Sequence, residues 1–443
     1  MGKHGDAKEK WYYSFFPYNI SGGSTSPLIP LFITNGLRGT VADVGLITAV
    51  TSMAAVPANI IWGNLSDTLH RRKPFVLMGF VGMALALFMM GISTNVPSYL
   101  IANFLFGLLG AAIAPVGTVL VLESFDKKEW PRRLGDFSKI GGIGWVLGLA
   151  IGTLWLLLLP STNNDVTSTR ALFMLAAGLS LVSMLLAMWW IKEPDAQVKR
   201  ECVTAEDIGN VQVSFIERAR YMPQRVLYIA HVSAKNMQAH NFPSNLRRYY
   251  LMIFLAFSGF LSFYVALPVF LSKQEGFSNP EVFIVYLASS IASALTYSLM
   301  GRIIAAKGGK RVQMAAFAAR IFIFPAFFLV TLLHPSFILL FVIFLGLHAL
   351  AGICWAGLSV AGSALVSQMA FKSFRSQSLG MYHSVQGVGT IVGSIIGGIV
   401  GAAFGYWAVF MCASVFIAVA LILLITMSVE APVEDGPEPV CSS

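Results

Sequence analysis

Lys139, Arg320, His348 and His383 lie inside long apolar runs. An ionisable group there is expensive and is a functional candidate by default. A buried lysine or arginine can hold an anion, and a histidine can bond a polar solute or titrate near neutral pH. The plainer role for His348 and His383 is that of hydrogen-bonded packing residues. At 1.5 Å of rise per residue, Lys139 and His383 fall on the order of 8–11 Å inside the ends of their runs, and Arg320 about 14 Å. Arg320 is equally suited to snorkelling or to capping a neighbouring carbonyl. No Asp or Glu occurs between Glu281 and Glu430, and Asp43, Asp67, Glu123 and Asp136 all lie toward the ends of runs. Proton coupling through a mid-membrane carboxylate is therefore not expected. Catalysis is not expected either, because no nucleophile, acid/base or metal pairing recurs on one helix face. No G-x-x-x-x-G-K-[ST] loop is present, which excludes ATP-driven work by this chain. Cys202, Cys354, Cys412 and Cys441 have no metal-ligand spacing, so no metal and no cofactor is expected.

The elements that position these groups follow from composition. The chain has 443 residues, 56% hydrophobic and only 12% charged, with a mean hydropathy of +0.72. The apolar runs are roughly 20–30 residues long, enough to cross a bilayer as helices, and in hydrocarbon every backbone polar group needs an internal partner. Twelve spans are expected: 11–36, 41–64, 73–94, 97–124, 134–159 and 170–191, then 247–272, 279–304, 311–333, 336–369, 376–403 and 405–428. The start MGKHGDAKEK does not lead into a short apolar core with a small-residue cleavage site, so a removable signal peptide is not expected.

The net charge of +9 reflects topology, not nucleic-acid binding. Of the 30 Lys and Arg, only Arg38, Arg170 and Lys273 fall in loops opposite the N-terminus, and Lys139 and Arg320 within spans. The positive-inside rule then puts both termini in the cytoplasm of a multi-pass plasma-membrane protein. The expected organisation is a first bundle over 1–191, a cytoplasmic linker over 192–246, a second bundle over 247–430 and a tail over 431–443. The linker has some amphipathic character near Val213–Ala234, fitting a segment on the inner leaflet.

The two bundles align. One constant offset pairs Pro30 with Pro268, Asp43 with Glu281, Gly63 with Gly301, and Arg72-Lys73 with Lys310-Arg311. A second pairs Gly107 with Gly352, Asn103 with His348, and Gly144, Gly148 and Gly152 with Gly389, Gly393 and Gly397. Glycines at four-residue spacing make one face of a helix nearly flat, suited to close packing that still slides. The fold class is thus an all-α polytopic membrane protein, with twelve transmembrane helices in two pseudo-symmetric six-helix bundles. In such repeats the solute site lies at the interface of the halves near the midplane.

The run Gly63-Asn64-Leu65-Ser66-Asp67-Thr68-Leu69-His70-Arg71-Arg72-Lys73 resembles the loop signature of the major facilitator superfamily, G-x-x-x-D-x-x-G-R-[RK], with His70 at the glycine position. Gly63 permits close helix approach, and Asp67 can face the positive N-terminus of another helix. The resemblance implies that this helix is the eleventh, near Arg375, and that Arg71 pairs with an acid at the inner end of helix 4, Glu123. Gly63, Asp67, Arg71, Arg72, Glu123 and Arg375 would then form a cytoplasmic conformational latch. In the worn second copy Ala305 replaces the acid, so only one latch is charged. The alternative for the basic cluster is simple anchoring of a short loop, which is the reading preferred for Lys73. The antiporter signature of helix 5 is incomplete, with Leu149 at its proline position.

The resemblance implies a small-molecule transporter working by alternating access in the lipid bilayer as a monomer; it is not an enzyme. Helix 1 lines the cavity in that architecture, which nominates Tyr18, Asn19 and Thr25. The remaining cavity candidates are Asn103, Lys139, Tyr264, Tyr286, Tyr297, His348, Trp355, His383 and Gln386. The expected solute is anionic or polar, held by His348, His383 and Lys139. Drug or metabolite efflux, sugar uptake and organic-anion exchange all stay open, as does a transport-inactive sensor or scaffold.

Overall fold

The computed structural model describes residues 10–69, 71–125, 130–159, 166–192, 242–371 and 375–429, and these are helical with no strand. The expected linker 192–246 and tail 431–443 fall almost wholly outside the described residues, as do Cys202 and Cys441. Among the described residues, eleven helices are long and apolar enough to span a bilayer. They are α2 (Val41–Leu69), α3 (Lys73–Ile92), α4a (Val96–Gly110) continued by α4b (Ile113–Ser124), α5 (Trp130–Leu158) and α6 (Thr167–Trp190). The second half holds α7 (Ser244–Val269), α8 (Asn279–Lys307), α9 (Gly309–Leu329), α10 (Phe337–Met369), α11 (Arg375–Phe404) and α12 (Tyr406–Thr426).

The first expected span is the exception. Residues 10–36 form a 3₁₀ turn (Lys10–Phe15), α1a (Phe16–Thr25), α1b (Leu28–Leu31) and a π turn (Phe32–Gly36). Pro27 and Pro30 each lack an N–H and crowd the carbonyl four residues back, and here the helix breaks beside them. The interruption in span 4 has the same cause. Pro115 leaves the carbonyl of Ala111 without its helical partner, and the turn tightens as Ala112 N–H reaches Leu109 O at 3.3 Å.

The repeat read from sequence offsets reappears as matched contacts. Asp43 accepts from the Thr40 N–H (2.7 Å) and Glu281 from the Ser278 N–H (2.7 Å), so these paired acids cap the starts of α2 and α8. Each proline of the pair Pro30 and Pro268 precedes a π turn, Phe32–Gly36 and Phe270–Gln274. A side chain at Gly107 would strike the Thr51 carbonyl, and one at Gly352 the Ser289 carbonyl, so α4a lies on α2 as α10 lies on α8. Gly148 meets the Ile20 carbonyl and Gly393 the Ser258 carbonyl, so α5 seats α1a as α11 seats α7. Lys73 donates to Met188 O (2.6 Å) and Lys310 to Met427 O (2.7 Å), each cation covering the negative end of its half's last helix.

Contacts between the halves gather at one end, opposite the basic loops. There Asn35 Nδ2 donates to Ser272 Oγ (3.1 Å) and Asn279 Oδ1 (3.1 Å), two hydrogen bonds that cross between the halves. Gly45 of α2 packs on Ser394 and Gly398 of α11, and Gly152 of α5 on Phe283 of α8. Toward the basic end the interface loosens. Lys139 and His383 are exposed, Tyr297 is 39% exposed, and Gly142, Gly301 and Gly380 have nothing within 4 Å of where a Cβ would stand.

Candidate functional site

A central cavity of about 530 Å³ lies where the halves meet. From the first half, α1a contributes Tyr18, Asn19 and Thr25, α4a contributes Asn103 and Phe106, and α5 contributes Trp145. α2 presents Thr48, Thr51 and Ser52, while Tyr264 of α7 and Tyr286 of α8 close the wall from the second half. Among the described residues, no Asp, Glu, Lys, Arg or His lines it. The polar groups are tied down by their own helices. Asn19 Nδ2 donates to Phe15 O (2.7 Å), Asn103 Nδ2 to Tyr99 O (2.9 Å), and Thr25 Oγ1 to Ser21 O (2.8 Å). Such back-bonding holds each amide and hydroxyl in one orientation toward the cavity. The wall is therefore a neutral surface of rings, hydroxyls and carboxamides.

Six sequence-nominated residues thus converge here: Tyr18, Asn19, Thr25, Asn103, Tyr264 and Tyr286. Three others, Trp355, His383 and Gln386, line a separate cleft of about 180 Å³ within the second half, among α7, α9, α10 and α11. His383 Nδ1 lies 3.1 Å from Gln386 Oε1. Lys139 and Tyr297 stand on the loosened basic side, on neither wall. His348 does not line the central cavity. It is buried behind it, its Nδ1 donating to Val285 O (2.8 Å) and its ring 5.0 Å from Tyr286 and 6.1 Å from Tyr264. The expected trio of His348, His383 and Lys139 around one solute is therefore not assembled.

The charged pair at the basic end also differs from expectation. Arg72, not Arg71, meets Glu123: Nε donates to Oε2 (2.9 Å) and Nη2 to Oε1 (2.5 Å), while Nη1 donates to Ser66 Oγ (2.6 Å). α2 ends at Leu69 and α3 starts at Lys73, so adjacent residues of the tight turn point apart. Arg72, just before α3, turns inward, and Arg71 stays exposed. The backbone of Gly63 and Asp67 lies in α2 and Arg375 opens α11, but the side chains of Asp67 and Arg375 lie outside the described residues.

Sequence reading did not nominate Trp145, the α2 stripe or the Asn35 clamp. The α2 stripe had a usable signal, since Val44, Ile47, Thr48 and Thr51 recur at helical spacing. At the clamped end a further cavity of about 610 Å³ surrounds Asn35, Ser272 and Asn279. Glu275, just past the membrane-length segment, has its pKa raised by burial, with a Gln274 hydrogen bond opposing the shift.

The sequence profile of the Major Facilitator Superfamily matches residues 12–350. A multidrug resistance protein MdtG of Enterobacter lignolyticus is 28% identical over 187 residues, which are 41% of this chain and 42% of that protein. The aligned segment thus spans about two fifths of that relative's length. Among solved structures, a variant of the nucleoside transporter NupG superposes with a TM-score of 0.70 at 16% identity, covering 95% of this chain and 99% of that one. The peptide transporter POT superposes with a TM-score of 0.68 at 13% identity, covering 96% and 95%. These structures establish likeness of fold.

Proposed function

Because the chain belongs to the Major Facilitator Superfamily, we propose that it carries a small, uncharged, ring-containing organic solute across the plasma membrane by alternating access. The observation that carries this reading is the uncharged, aromatic-rich cavity between the halves. A buried ion needs a partner charge or several hydrogen-bond donors, and this wall offers rings and single hydroxyl or amide groups instead. Trp145, Tyr264 and Tyr286 provide faces on which a planar ring stacks, and Asn19 and Asn103 supply orienting polar contacts. The similar Enterobacter protein is a multidrug resistance protein and the similar solved one a nucleoside transporter; drugs and nucleosides are both organic solutes.

With the basic end facing the cytoplasm, as the distribution of Lys and Arg supports, both termini are cytoplasmic and this conformation opens inward. Residues 1–191 and 247–430 are the two bodies that rock about the cavity, and Arg72 with Glu123 stiffens the cytoplasmic corner of the first. A monomer contains the whole cavity.

A thermal-shift screen of purified protein against uncharged aromatic solutes, organic anions and lipophilic cations tests the solute class. Uncharged ring compounds should stabilise the protein, and Tyr286→Ala should weaken the best of them about tenfold, the equivalent of about 1.4 kcal/mol of lost stacking. Hits confined to charged compounds would overturn the reading. In proteoliposomes, flux of that solute should not accelerate when a pH gradient is imposed, because no carboxylate, histidine or lysine lines the cavity. Acceleration of tenfold or more would show a proton route that this wall does not contain.

A further inference from the structure

Arg320 is 0% exposed at the centre of α9, yet two of its three guanidinium nitrogens, Nε and Nη1, have no hydrogen-bond partner. Nη2 alone is satisfied, by Ala351 O at 2.9 Å. Most of its other surroundings are rings, Phe260 at 4.4 Å, Phe324 at 5.7 Å and Trp355 at 5.9 Å from the guanidinium carbon, and the neutral Cys354 thiol of α10 also lies within hydrogen-bonding reach. Ring faces attract a cation but offset only part of what a charge loses on leaving water.

No carboxylate of the described second half reaches it. Between Ser244 and Val429 the only carboxylates are Glu275 and Glu281, and both sit at the far end near the Asn35 clamp, Glu281 capping α8. The fold does not require an arginine here either. The offset that pairs Lys310 with Arg72 pairs Arg320 with Gly82, which simply packs on Leu109. Among the described residues the guanidinium therefore has no carboxylate partner.

A route exists. Phe260 and Trp355 of the ring cage are also walls of the 180 Å³ cleft, whose other lining includes Gln313, His383 and Gln386 and no acid. Phe260 is packed, whereas Trp355 is 37% exposed, so its indole is the wall element free to swing aside.

We propose that the cleft among α7, α9, α10 and α11 binds a monoanion, with Arg320 as its cationic ligand. The site is separate from the central solute cavity and stands whether or not that cavity takes an uncharged solute. Halide and carboxylate share the required chemistry, a single negative charge small enough to pass Trp355 and accept from Nε and Nη1.

The test uses purified full-length protein at constant ionic strength, with gluconate replaced stepwise by chloride or by benzoate. The melting temperature should rise saturably by about 2 °C or more in at least one series. Chloride alone acting marks an inorganic anion, and benzoate alone marks the carboxylate of an organic solute. Arg320→Met should fold and respond to neither. A second measurement leaves Arg320 in place: iodide quenching of tryptophan fluorescence should contain a saturable component that chloride or benzoate displaces and that Trp355→Phe removes. A non-saturating wild-type response, an undiminished response in folded Arg320→Met, or saturable quenching that survives Trp355→Phe would each overturn the proposal.

Discussion

Arg72→Ala is expected to lower stability by about 2–3 kcal/mol and to remove most transport, whereas Arg71→Ala is expected to change stability by about 0.5 kcal/mol or less. The two residues are neighbours with the same charge, so composition and loop position predict equal effects. The structure separates them. Arg72 is anchored on three sides, by both carboxylate oxygens of Glu123 and by the Ser66 hydroxyl. Its side chain is 6% exposed and that of Glu123 25%. Removing the arginine strands a half-buried carboxylate without its fork, and the partial exposure of Glu123 keeps the loss at or just below the roughly 3–5 kcal/mol range for broken buried pairs. The pair ties the α2–α3 turn to the end of α4b, so its loss loosens a corner of the first half that has to move as one body. Thermal unfolding of Arg72→Ala, Glu123→Ala and the double variant gives the coupling, expected at 0.5–3 kcal/mol in magnitude. Equal damage from Arg71→Ala, or strict additivity of the Arg72 and Glu123 variants, would remove the pair from the account.

That contrast shows where the sequence stops being informative. Span positions, the repeat and the flat glycine faces are set by composition and by spacings that survive any small rotation of a helix. Asp43 and Glu281 were legible as helix-end acids because a capping box is a local pattern. The choice between Arg71 and Arg72 depends on where α3 begins within a three-residue turn, and a one-residue shift exchanges inward and outward. His348 shows the same limit in another form. Its depth along α10 follows from counting residues, but α10 is apolar all round, so nothing in its pattern says which face meets the cavity. The structure turns that face toward Val285 and the backs of Tyr264 and Tyr286. Arg320 was legible as an anomaly and as a possible cap on a carbonyl. That two of its nitrogens would lie unpartnered beside rings required two other helices, α7 and α10, to be in place.

Gly45→Leu is expected to prise open the clamped end. The Gly45 site touches the Ser394 carbonyl and the Gly398 Cα of the opposite half, and a side chain has no room there while that end stays closed. Overpacking of this kind costs about 1–3 kcal/mol, and here the penalty falls on one conformation only, because α2 and α11 separate when the halves rock. The ratio of outward-open to inward-open molecules should therefore rise about 5- to 150-fold. Thr48, on the cavity face of α2, is a suitable reporter when converted to cysteine in a background lacking the native cysteines. Its labelling by a membrane-impermeant maleimide from the outer side should accelerate by that factor, while solute flux falls because return to the inward-open form is blocked. Gly148→Leu serves as the control: it strikes the Ile20 carbonyl within one half, so it should destabilise α1a against α5 without favouring either state. If Gly45→Leu abolished flux with Thr48→Cys labelling unchanged, the glycine contact would be ordinary packing and the clamp at Asn35 alone would hold that end shut. If labelling rose as expected, the small residues of α2 and α11 would be the surface on which the two halves close, with closure limited by how nearly two backbones can touch.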